Sequence, residues 1–148
     1  MKPRYVLDAW AVLALLQKEE PAASRVKQLM TEAQEGGVEL FISIINLGEV
    51  YYRTGKVKGE RAAEETLDTI RCLSLTVVPA TEETVFTAAR FKMHYAISYA
   101  DAFAVATTED LDATLVTGDP ELEQLKYQIQ IEKLERTSRG SYGHYRAN

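Results

Sequence analysis

ISYADAFAVATTEDLDATLVTGDPEL, residues 97–122, is the stretch whose reading decides the fold. It holds a helical pattern, a short apolar strand over 113–117 and the start of a second helix, with an acid at each turn between them. Asp101 falls just inside the first helix, and Asp119 falls where the strand stops. Upstream, Asp8 and Glu49 occupy comparable places in earlier β–α units. If the strands are parallel neighbours, four acids meet at one edge of the sheet.

Outward from that stretch, strands and helices alternate. Residues 4–7 read as a short strand leading into Asp8 and a helix over 10–18. Pro21 suits a first helical turn, and Ala22, Val26, Leu29, Met30 and Ala33 form an apolar stripe that Gly36 and Gly37 stop. A strand over 38–42 follows, then a helix that Ser43 caps and that runs to about Thr54, ahead of Gly55. A helix over 60–71, a β-branched strand over 73–78 ended by Pro79, and a helix capped by Thr81 lead back to the central stretch. A last strand is expected over 127–131. The alternation predicts an α/β/α sandwich on a mostly parallel sheet. Residues 1–135 form one domain in this reading, and the Gly/Ser-rich, basic and aromatic segment 136–148 is expected to be a flexible tail.

Composition narrows the class without deciding it. The chain has 148 residues, 46% of them hydrophobic, enough for one well-cored domain. The single cysteine, Cys72, precludes an internal disulfide and reads as a small core residue in a reducing cytoplasm. AWAVLALL after Lys2 and Arg4 mimics a secretion signal, but Asp8 at its head and the charged QKEEPAAS behind it argue against one. No apolar run is long enough for a membrane span. A net charge of −5 looks unfavourable for nucleic-acid binding. Setting four of the 22 acids aside, however, leaves a remainder nearly balanced by the 17 bases.

Each acid has a plainer alternative. Asp8 could be only an N-cap, Glu49 only a surface partner of Arg53 one turn on, and Asp101 only the reciprocal acid of a capping box with Ser98. Asp119 before Pro120 could be a routine helix start. Against this, Asn46 shares a helix face with Glu49, and Asp101 is surrounded by Ala100, Phe103, Ala104 and Val105, where an uncompensated carboxylate is costly. Glu121 could add a further carboxylate beside Asp119, whereas Glu109, Asp110 and Asp112 read as solvated. Two such charges ~4 Å apart, at an effective dielectric near 20, repel by about 4 kcal/mol. A cluster of this kind needs raised pKa values or a bound cation. All-oxygen donors select Mg²⁺ or Mn²⁺. His94, His144 and Cys72 make no zinc spacing.

YVLDA at 5–9, INLGEVY at 45–51, SYADAF at 98–103 and VTGD at 116–119 together resemble the PIN-domain nucleases, nearest to the VapC-type toxins of toxin–antitoxin pairs. The likeness runs in order from about residue 4 to residue 132. It implies a five-stranded parallel sheet and Mg²⁺- or Mn²⁺-dependent hydrolysis of RNA, with Asp8, Glu49, Asp101 and Asp119 as the acidic quartet. Asp8 and Asp101 would be the primary ligands, and Asn46 and Thr117 match accessory polar positions. Trp10 departs from the pattern, since many members carry Ser or Thr there. The resemblance further implies homodimers and a small antitoxin that blocks the groove. Arg53, Lys56, Lys58, Arg90 and Lys92 are candidate phosphate contacts, with a solvated charged face as the alternative.

Rival classes lack key letters. An Asp-nucleophile phosphatase needs an acid where Trp10 stands, and a receiver domain needs an Asp ending the third strand, which here closes Val77-Val78-Pro79. A stand-alone RNA-processing PIN nuclease and a catalytically silent PIN-like metal- or protein-binding module remain as alternatives within the family.

Overall fold

The computed structural model describes residues 1–137. Five strands, β1 (Arg4–Leu7), β2 (Glu39–Ser43), β3 (Thr76–Val78), β4 (Thr114–Thr117) and β5 (Gln130–Lys133), form one sheet in the order β3-β2-β1-β4-β5. Every pairing is parallel. The chain leaves β1 to one side for β2 and β3 and returns to its other side for β4 and β5. The carboxyl end of β1 therefore lies at the point where strand order reverses, the usual ligand crevice of open α/β sheets.

Both faces of the central strands are covered, and side-chain alternation divides them between two cores. Leu7, Leu40, Ile42 and Val116 pack with α1 (Ala9–Leu16), α2 (Ala22–Gln34), α3 (Ile44–Lys58) and α4 (Glu60–Arg71). Val6, Phe41 and Leu115, on the opposite face, pack with α5 (Glu82–His94) and α6 (Tyr99–Asp110). Helix α6 is buried continuously from Asp101 to Thr108, which explains its Ala-rich composition and lack of a polar face.

Several boundaries differ from the sequence reading, each for a local reason. Helix α3 does not stop before Gly55 but continues to Lys58. A Cβ at Gly55 would make only ordinary contact, 3.6 Å from the Ala63 side chain, and the break falls instead at Gly59, at φ 96°. Helix α1 ends at Leu16 because Lys18 turns left-handed at φ 56°. β3 shrinks to three residues because the amides of Cys72 and Leu73 are still bonded to the last turn of α4. Cys72 is consequently exposed and not in the core. β5 starts three residues later than expected, since the amides of Gln128 and Ile129 fold back to the Leu125 carbonyl.

The segment after β5 is fastened to the first helical turn-over. Arg136 pairs with buried Glu19 at 3.0 Å and bridges to Pro21, and the Thr137 amide donates to the Glu20 carbonyl at 2.7 Å. The two first residues of the expected tail are thus held by the fold, and the remainder of that tail lies outside the described residues. Arg136→Ala would strand the Glu19 carboxylate, which is only 2% exposed. We expect it to lower unfolding free energy by roughly 1–3 kcal/mol in urea denaturation, the usual cost of an unpaired buried polar group.

Candidate active site

The site grows from the ends of β1 and β4, which pair side by side. Asp8 follows β1 with extended backbone and caps α1: one carboxylate oxygen accepts the Ala11 amide at 2.9 Å. Its other oxygen accepts a short hydrogen bond from the Thr117 hydroxyl at the end of β4. The same hydroxyl accepts the Asp119 amide at 3.0 Å. Asp119 then caps a 3-10 helix, Pro120–Leu125, by accepting the Glu121 amide at 2.9 Å. The capping roles expected of Asp8 and Asp119 are real, and they also aim these two carboxylates.

Helices α3 and α6 supply the other side. Ser98 caps α6 through the Asp101 amide at 3.1 Å and sets Asp101 in its first turn. Asn46, fully buried, donates from Nδ2 to the Ala100 carbonyl at 2.9 Å and so ties α3 to the start of α6. Its Oδ1 is buried with no hydrogen-bond partner. One turn further, Glu49 pairs with Arg53 at 2.8 Å. That pair is almost enclosed, at 12% and 6% side-chain exposure, and is not the surface pair that spacing alone suggests.

The acids meet. Carboxylate oxygens of Asp101, Asp119 and Glu121 all lie within 4.8 Å of one another. That spread is on the scale of one coordination sphere, so these three carboxylates are the residues that would hold a hard divalent cation. Asp8 and Glu49 act on the trio electrostatically. Burial chiefly pushes the Asp8 carboxyl up to about 7, against the Thr117 and Ala11 hydrogen bonds that lower it, with Asp119 and Glu49 adding to the rise. Burial also raises Asp101 well above the carboxylate range, followed by its hydrogen bond to Asp119 and the charges of Asp119, Asp8 and Glu49. An oxygen-only donor set, mutual repulsion and the unpartnered Asn46 Oδ1 are together the features a hard divalent cation resolves. Asp101, Asp119 and Glu121 thus form the cluster, Thr117 ties Asp8 to it, Glu49 lies within electrostatic reach, and Asn46 is bonded to the residue before Asp101.

The basic candidates do not converge in the same way. Arg53 is buried against Glu49, with its guanidinium also over the Tyr52 ring. Lys56 and Lys58 sit in the last turn of α3, about two turns or more past Glu49. Exposed Arg90 and Lys92 lie on α5. Arg90 donates to Thr87 and lines a shallow groove with His94, Tyr95, Glu109 and Gln128. Sequence reasoning missed the seat of the Trp10 ring on Gly118. Its only signal was a bulky residue two places after Asp8 and a glycine directly before Asp119.

A family model for the PIN domain matches residues 5–126. The chain belongs to the PIN-domain family, a family of nucleases. No curated protein sequence matches it closely. Solved PIN-domain structures share its fold: the VapBC2 complex of Rickettsia felis bound to promoter DNA aligns at TM-score 0.68 and 18% identity, over 89% of this chain and 99% of that one. DNA-bound VapBC of Salmonella typhimurium aligns at 0.68 and 17%, over 88% and 98%. VapC20 of Mycobacterium tuberculosis, described as a toxin cleaving the sarcin–ricin loop, aligns at 0.66 and 15%, over 81% and 93%. The five parallel strands and flanking helices are those of the PIN fold, and no described helix is long and apolar enough to cross a membrane.

Because Asp8 and Asp101 bind protons more tightly folded than unfolded, the folded state carries more protons above the ordinary carboxylate pKa. Stability then falls as pH rises, from near 3.8 through about 7 for Asp8 and beyond for Asp101. Melting of the metal-free protein is expected at a lower temperature at pH 8 than at pH 5. Asp101→Asn should flatten this dependence and melt higher at pH 8. A metal-free melting temperature that climbs over the same interval would contradict the cluster.

Proposed function

We propose that this PIN domain is a Mg²⁺- or Mn²⁺-dependent ribonuclease and the toxin of a toxin–antitoxin pair. The observation that carries the reading is the meeting of Asp8, Glu49, Asp101, Asp119 and Glu121, from four separate elements, at the sheet's reversal point. The VapC toxin described as cutting the sarcin–ricin loop supports an RNA substrate, and the VapBC complexes support an antitoxin partner. Exposed Phe86 and Met93, two turns apart on α5, offer apolar surface for a homodimer. Action in the cytoplasm, where RNA is reached, completes the proposal.

The reaction is in-line attack of water on a phosphodiester. Asp101, Asp119 and Glu121 are the residues that would hold the cation, and Asn46, whose Oδ1 is buried without a hydrogen-bond partner, is bonded to the Ala100 carbonyl next to Asp101. When bound, a divalent ion supplies positive charge against the phosphate oxygens and makes water more acidic. Asp8 is held in place through both oxygens, by the Ala11 amide and the Thr117 hydroxyl, which fits it to orient the attacking water. Arg53 fixes Glu49 and offsets part of the negative field.

The test is purified protein on assorted RNAs with Mn²⁺, Mg²⁺ or chelator. Cleavage should require the cation and fall by about 100-fold or more in Asp8→Asn and Asp101→Asn, both of which stay folded. A cation present at 100 times its Kd should add about 2.7 kcal/mol of stability. Full activity in either variant, or melting indifferent to both cations, would reject the reading. A short upstream reading frame encoding a DNA-binding partner separates the toxin from a stand-alone processing nuclease.

A further inference from the structure

Trp10 stands in the first turn of α1, two residues after Asp8, and its ring is half-buried against the first core. A Cβ placed on Gly118 would fall well inside contact distance of Cη2, Cζ2 and Cζ3, the outer atoms of the indole's benzo ring. Gly118 is not among the glycines with positive φ, so its torsions suit any residue. The ring alone requires glycine there. Over the ring stands Arg136, its guanidinium 5.1 Å from the ring centroid and paired with buried Glu19. The turn that Trp10 touches carries the Thr117 hydroxyl bonded to Asp8, and the Thr117 carbonyl accepts the Leu134 amide at 2.8 Å.

We infer that Trp10 is a positioning residue for the acid site: its benzo ring, backed by Arg136 and Glu19, clamps the 117–119 turn so that Asp119 stands opposite Asp101 before a cation arrives. The inference rests on the reading of these acids as cation ligands. Its physical need is plain. Asp119 is half-buried and Glu121 exposed, whereas Asp8 and Asp101 are held in buried helix starts. Mutual repulsion drives Asp119 and Glu121 outward unless the backbone beneath Asp119 is stopped. A serine or threonine at position 10 would leave the space over Gly118 open. The tryptophan fills it.

A filler role and a clamp role separate in a size-swap experiment with two readouts. Hydrogen exchange in metal-free protein follows the Asp119, Glu121 and Leu134 amides against those of β1, and paramagnetic resonance of free Mn²⁺ gives the cation affinity. Trp10→Leu should speed exchange of those three amides about tenfold relative to β1 and weaken Mn²⁺ about tenfold, the scale of a lost outer support. Trp10→Phe, which keeps an aromatic ring in the core but lacks the outer benzo atoms, should move both readouts the same way by less. Gly118→Ala should weaken Mn²⁺ similarly, and the double variant Trp10→Leu/Gly118→Ala should lie nearer to wild type than either single change. Wild-type exchange in Trp10→Leu and Trp10→Phe, or losses that simply multiply in the double variant, would overturn the clamp. Absence of Mn²⁺ binding in wild type would instead strike the ligand reading, and the exchange arm would still decide the role of Trp10.

Discussion

The Thr117 hydroxyl is the joint on which the site depends. It donates to Asp8 and accepts from the Asp119 amide, and so locks the ends of the two central strands into one unit. Neither strand alone places an acid usefully. Asp8 is buried at the head of α1, and Asp119 opens a short 3-10 helix. A side chain with one donor and two lone pairs, at the last position of β4, satisfies both. Substitution by valine would preserve the β-branched shape and lose the joint.

Around it, the fold concentrates negative charge where the sheet can least neutralise it. The order β3-β2-β1-β4-β5 puts the carboxyl ends of β1, β2 and β4 side by side, and α3 and α6 start from that edge. The arrangement is tolerable without a cation only because buried carboxyls hold protons, and because Arg53 sits against Glu49. In the proposed reading, the same feature that burdens the fold suits it to a hard divalent ion. Residues that look like ordinary helix caps serve folding and ligand placement at once.

Much of this was legible in the sequence, and for identifiable reasons. Alternating strand and helix patterns fix the α/β class, and Asp8 and Asp119 after β1 and β4, with Glu49 in α3 and Asp101 at the start of α6, mark the edge where the acids meet. Boundaries were less legible where a residue's role is relational. Gly55 looks like a stop and is a contact point for Ala63, and Gly118 looks like slack and is seated under Trp10. Cys72 and the β3 start depended on how far the last turn of α4 runs. Arg53 could not be placed from spacing alone, because only the packed structure shows that its pair with Glu49 is enclosed. The basic side chains on α3 and α5 carried no pattern tying them to the acids.

The central claim is that these carboxyls form one cluster and give up protons when a cation enters. Calorimetric titration of Mn²⁺ into the protein at pH 7, in two buffers of different ionisation enthalpy, counts those protons directly. The account predicts release of about one proton or more per cation bound, because Asp101 and part of the Asp8 population are protonated beforehand. Identical binding heats in both buffers, meaning no proton released, would contradict it.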